Sequence, residues 1–159
     1  MDVKYINPFI QSVDELCSTM FHVKARRGTL STTRTLADSS EFVAMVGITG
    51  EVQGNVALTI PAGTAVALVG KLLGAEVLET DPDTVDGVAE IVNMIAGGAK
   101  AKLNTGVGEQ PLQLSLPTVL RGTDFAVHYP TLSLWMDIPF QSDLGNFNLR
   151  VAMKNAAAN

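Results

Sequence analysis

Residues 86–98 read DGVAEIVNMIAGG, and three of their side chains could do chemistry: the carboxylates of Asp86 and Glu90 and the carboxamide of Asn93. At the angular step of an α-helix these three fall within about 60° of one another, and Gly97 and Lys100 join them. Val88, Ile91, Val92, Ile95 and Ala99 take the opposite side, which suits burial against a sheet. The polar stripe therefore faces away from the core. A carboxamide neither gives nor takes a proton near neutral pH. If Asn93 serves a reaction, it must orient something, such as a water molecule, by donating and accepting hydrogen bonds. Glu90, one turn away, could anchor a cation. No serine, cysteine or histidine nucleophile stands nearby in the sequence. Such a pair makes a poor self-contained active site and a good wedge for completing the active site of another protein. Gly97 sits in the middle of this face, where glycine costs roughly 1 kcal/mol relative to alanine. That cost is intelligible where another molecule must come close to the backbone. Gly98 fits equally well with tight packing against a neighbouring helix.

Spacing alone does not decide this, because a solvated helix face is the commoner outcome for exposed acids. For Asp86, capping is a rival reading. If Asp83 is the N-cap, Asp86 occupies the third helical position, where an acid favours the helix dipole.

The elements that must hold this face follow from periodicity and turn residues. A helix is expected over 7–23, with Asn7 as cap and Pro8 at its first position. Phe9, Val13, Leu16 and Met20 recur in it at helical spacing. Residues 30–36, 42–48 and 55–60 read as strands, with TGEVQG as a turn and Pro61 as a stop. Residues 62–73 form a very apolar helix ended by Gly74. The motif helix runs from about 82 to about 103. Strands are expected over 112–120, 124–129, 132–140 and 146–153, with turns at Gly122, Pro130 and SDLG, and the tail KNAAAN frayed. A faint echo joins GEVQGNVALTI at 50–60 with SDLGNFNLRVAM at 142–153, and SVDEL at 12–16 with TVDGV at 84–88. It hints at two related halves. The expected fold is α+β: a two-layer sandwich of helices on one face of a mainly antiparallel sheet, in a single domain over 1–159.

Composition limits the function classes. Of 159 residues 47% are hydrophobic and 17% charged, the balance of a folded globular chain. The net charge of −5 and the scattered Lys and Arg, apart from KARR at 24–27, argue against nucleic acid as a partner. No apolar run is long enough to span a membrane, and the N-terminus lacks the pattern of a secretion signal. The expected location is cytoplasmic. The single cysteine, Cys17, excludes an internal disulfide and reads as a small core residue. His22 and His128 lack the spacing of metal ligands, so no metal site is expected. Trp135 and Met136 are adjacent in a strand, so one should face the core and the other should not. The glycines at 47, 50 and 54 read as turn residues. Arg26 and Arg27 read as closing a helix C-terminus or staying solvated.

The spacing Asp-x3-Glu-x2-Asn at Asp86, Glu90 and Asn93 resembles the signature of the CheC/CheX/FliY chemotaxis phosphatases. INPFI in the first helix and LWMDIPF near the end are similar to CheX, and the resemblance spans about residues 4–154. It implies dephosphorylation of the aspartyl phosphate on a CheY-like receiver domain. Glu90 would contact a lysine in the receiver's active site, and Asn93 would position the attacking water. The receiver would supply the Mg²⁺ as well as the phosphoaspartate, with no cofactor on this chain. Asp86 would belong to the motif in a supporting role, and Gly97 to the binding face. In the first helix Gln11, Glu15 and Ser18 stand at the same spacing, and Asn is missing where a second motif would need it, so one site per chain is implied, as in CheX. The resemblance also leaves room for a homodimer formed through the sheets. Two other classes stay open. One is a non-catalytic module that grips a receiver or a flagellar switch protein. The other is a structural dimerisation domain with a vestigial motif.

Overall fold

The apolar sides of the helices find the sheet that their periodicity requires. The computed structural model describes residues 3–34, 36–38, 41–104, 111–127 and 134–156. His128, the turn at Pro130, residues 128–129 and 132–133 of two expected strands, and the last three residues of the tail lie outside these. In chain order the elements are α1 (Val3–Leu16), β1 (Arg26–Arg27), β2 (Ser31–Thr33), β3 (Leu36–Asp38), β4 (Phe42–Thr49), β5 (Val52–Ile60), α2 (Ala62–Leu73), α3 (Pro82–Asn104), β6 (Gln113–Leu114), β7 (Thr118–Arg121), β8 (Phe125–Val127), β9 (Trp135–Ser142) and β10 (Gly145–Asn155). A π-turn, Cys17–Phe21, prolongs α1 and is closed by His22 in a left-handed conformation.

All the strand pairings are antiparallel. The main sheet runs β1–β9–β10–β5–β4–β6, with β2 also on β9 and β7 also on β4, while β3 and β8 form a ribbon of their own. Exchanging β1–β5 for β6–β10 reproduces this order read backwards. The chain is therefore built from two equivalent halves, each a helix followed by five strands, with β5 and β10 paired at the centre. α2 has no counterpart and is inserted between the halves. The echo between 50–60 and 142–153 is the trace of these two central strands and the turns before them.

The helices cover one face. Val88, Ile91, Val92, Ile95 and Ala99 of α3 are buried against Ala44, Val46, Val56, Leu58 and their neighbours, together with Phe9 and Val13 of α1 and Leu68 of α2. The other face carries a smaller buried cluster of Val43, Ala57, Trp135 and Ala152. Beside it Arg150 donates to Asp137 at 2.8 Å, and the Asn148 amide donates to both oxygens of the same carboxylate. Trp135 thus lies on the face away from the helices yet is buried, and Met136 packs half-buried against the helix-side core. Among the described residues no helix is long and apolar enough to cross a membrane.

Several local expectations are corrected. α1 begins at Val3, a turn before Asn7, and Pro8 stands inside it. Ile6, Phe9 and Val13 form one buried row, and their burial, worth roughly 2 kcal/mol per large side chain, outweighs the one helical hydrogen bond that proline removes. Arg26 and Arg27 are exposed, as one alternative had it, but they pair with β9 as a short edge strand. The single strand expected over 112–120 is broken into β6 and β7. Ser115 takes the Gly47 amide on its hydroxyl and gives its own amide to the Gly47 carbonyl. The register shifts by one residue between Ile48↔Leu114 and Met45↔Thr118, which is a bulge. Gly54 is not in a turn but inside β5, where the Ala152 carbonyl leaves no room for a Cβ.

Candidate functional site

α3 is a 23-residue helix that opens on Pro82 at its first position. Asp81 precedes it and turns its carboxylate back to the Leu78 amide, while the Thr84 hydroxyl donates to the Leu78 carbonyl. Asp86 is then the fifth helical residue, past the reach of a capping group, and the capping alternative falls away.

Two close contacts fix how α3 is rotated. Gly87 lies against Val69 of α2, and a Cβ at Gly98 would collide with Ser12 of α1. The Ser12 hydroxyl also donates to the Ile95 carbonyl at 2.8 Å. Both glycines are where helices approach each other. Gly98 accordingly belongs to helix packing, as one of its two readings held. Gly97 is different: a Cβ there meets no heavy atom within 4 Å. Nothing among the described residues calls for glycine at this position.

With α3 so clamped, Asp86 and Glu90 are exposed, and Asn93 and Gly97 are half-buried on the same outward stripe. Glu90 and Asn93 are separated by about 4.5 Å along the axis, and the whole stripe from Asp86 to Gly97 spans about 16 Å. Among the described residues neither carboxylate nor the Asn93 amide is held by a side-chain hydrogen bond or ion pair. These groups are carried by a rigid rod and left uncommitted by their own fold. The cavity of about 690 Å³ beside the end of α1, bordered by Asp14, Ser18 and His22, and the groove of about 650 Å³ between α2 and residues 74–78 include none of the four residues. Among the described residues no three His, Cys, Asp or Glu side chains converge as a metal-binding group.

The corresponding face of α1 is committed internally. Glu15 is paired with Lys102 of α3 at 2.8 Å, and the Ser18 hydroxyl donates to the Glu15 carbonyl. Pairing across 87 positions of chain leaves no local signal, so this bridge could not be read from sequence. Elsewhere, burial, reinforced by the Asp14 charge, raises the Cys17 thiol to about 11, which leaves it protonated and inert at neutral pH. Glu41 is raised because it shares a hydrogen bond with Glu79.

A family model described as chemotaxis phosphatase CheX matches residues 42–141, a span that holds all of α3. The chain belongs to the CheX family. It is 26% identical over 156 residues to the CheY-P phosphatase CheX of Thermotoga maritima, covering 98% of this chain and 99% of that one. The crystal structure of a chemotaxis protein CheX from Desulfovibrio desulfuricans superimposes with a TM-score of 0.81 at 28% identity, covering 95% of this chain and 99% of that one. A CheX–CheY complex with BeF₃ and magnesium from Borrelia burgdorferi shares the fold, with a TM-score of 0.72 at 21% identity over 95% of this chain and 98% of its counterpart. The antiparallel sheet with helices on one face, expected from sequence, is thus the fold of the CheX family.

Proposed function

We propose that this chain hydrolyses the aspartyl phosphate of a CheY-like receiver domain, with Glu90 as docking anchor and Asn93 as the residue that positions water. The observation that carries the reading is the row of uncommitted polar groups on the outward side of α3, in a member of a chemotaxis phosphatase family.

The chemistry suits an amide. Water attacks phosphorus in line, the new P–O bond forms, and the bond to the aspartate oxygen breaks. The receiver's carboxylate leaves as the anion it was before phosphorylation, and the water's protons pass to phosphate and solvent. Such a transition state needs positioning and charge stabilisation more than acid or base catalysis. The Asn93 carbonyl oxygen accepts a hydrogen bond from the water, and its NH₂ donates to a phosphoryl oxygen, which fixes the angle of attack. Glu90, about one turn away, meets a cation of the receiver and holds the helix in place. Asp86 extends the acidic end of the face, and Gly97 lets the receiver's surface approach the backbone. Mg²⁺ belongs to the receiver in this reading and neutralises the phosphoryl charge there. The setting is a cytoplasmic two-component circuit. A homodimer joined through sheet edges is part of the same reading, supported by β2 and β7, each paired on one side only among the described residues.

The test is phosphate loss from a phosphorylated receiver with Mg²⁺. The chain should accelerate it, Asn93→Ala should abolish most of the acceleration without unfolding the protein, and Glu90→Ala should act mainly through KM. Binding without faster phosphate loss, and indifference to Asn93→Ala, would instead mean a non-catalytic receiver-binding module.

A further inference from the structure

α3 carries two lysines near its C-terminal end, and the structure treats them differently. Lys102 lies in the last turn, where the helix dipole favours a cation, and it is paired with Glu15 of α1. Lys100 lies before that last turn, where the dipole's influence has faded. Among the described residues it has no ion pair. It falls on the same stripe as Glu90 and Asn93, separated from Asn93 by about 10 Å of helix. Gly97, which contributes no side chain, lies between them. The face is therefore polar in the electrical sense. Asp86 and Glu90 make one end acidic, Lys100 makes the other basic, and the amide lies between.

We propose that Lys100 is a second docking anchor, which takes a carboxylate on the receiver's surface and sets the direction in which α3 lies across it. The inference rests on the phosphatase reading above. A single anchor at Glu90 leaves the helix free to pivot. Opposite charges about 15 Å apart along one rod match a partner's cation and anion in one orientation, and reversing the rod sets like against like. Asn93 reaches the phosphoryl group only in the matched orientation. Lys100 is thus a positioning residue, and its effect belongs in association and its salt dependence, not in the chemical step.

The experiment compares wild type, Lys100→Ala, Lys100→Glu and the control Lys71→Glu, on the exposed side of α2, against a phosphorylated receiver with Mg²⁺ at low and high salt. Binding to the receiver's beryllofluoride adduct is titrated alongside. Lys100→Ala should lower kcat/KM about 2- to 5-fold at low salt, the range of an exposed charge pair. Lys100→Glu should lower it about 10-fold or more, through KM and the binding constant, with kcat within about twofold of wild type. Both losses should shrink at high salt, and Lys71→Glu should change little. A receiver carrying lysine in place of the matching acid should restore Lys100→Glu. Wild-type salt dependence and KM in a folded Lys100→Glu variant, while wild type is active, would overturn this inference alone. A wild-type chain that fails to accelerate phosphate loss would overturn the phosphatase reading itself.

Discussion

Gly97→Ala should make the protein more stable and less active, an opposition that few surface substitutions produce. Alanine is favoured over glycine inside a helix by about 1 kcal/mol. Among the described residues nothing at Gly97 offsets this gain, because the added Cβ meets no heavy atom within 4 Å. For a domain of this size the gain corresponds to a rise in Tm of roughly 2–4 °C. The same methyl group projects from the stripe between Asn93 and Lys100, where a partner must approach. Displacing the partner by about 1 Å costs on the order of 100-fold when a reaction depends on positioning. The neighbouring Gly98→Ala is the control of opposite sign. Its Cβ collides with Ser12 and threatens the Ser12–Ile95 hydrogen bond, so stability should fall by about 1–3 kcal/mol. Thermal melts and phosphate release on the two variants give four numbers. A lower Tm for Gly97→Ala, or an unchanged kcat/KM, would refute the claim that glycine is kept there for a partner's approach.

Other outcomes follow from groups away from this face. The raised Cys17 thiol stays neutral in the fold while the unfolded chain ionises from about pH 9, so folding stability should be full below that pH. It should fall by up to about 2–3 kcal/mol as pH rises to 11. Denaturant titrations across this range should show the fall in wild type and lose it in Cys17→Ala. Glu90→Gln, which keeps the shape and removes the charge, should raise KM several-fold with kcat nearly intact, and the effect should fade at high salt. Light scattering should return twice the chain mass of 16.8 kDa if the sheets pair into a homodimer. A monomer mass at micromolar concentration would remove that part of the reading.

The features legible in the sequence were those written in local periodicity. α2 ends at Leu73 with Gly74 in the left-handed conformation, as its apolar run and terminal glycine require. The apolar side of α3 is the buried side residue for residue, because a rigid 3.6-residue repeat leaves no freedom about which face turns inward. The outward placement of Asp86, Glu90 and Asn93 follows from the same rule. What escaped depends on partners distant in the chain. The start of α1 follows the burial of Ile6 in the main core, not Asn7 and Pro8, whose local preference is weaker. The break between β6 and β7 depends on how Ser115 meets Gly47. The burial of Trp135 depends on a second small cluster on the far face, which alternation along one strand cannot reveal. The separate duties of Gly97 and Gly98 were visible only as alternatives, and the contact with Ser12 separates them.

The role of Asn93 rests on one comparison: the rate at which a phosphorylated receiver loses phosphate, with Mg²⁺, in the presence of wild type or of Asn93→Ala at equal receiver occupancy. Removing a group that orients the attacking water should lower the bound-state rate by about 100- to 1,000-fold, with the melting curve and receiver affinity little changed. Equal rates for the two proteins would contradict that role, because the orienting hydrogen bonds to the water are assigned to the Asn93 amide.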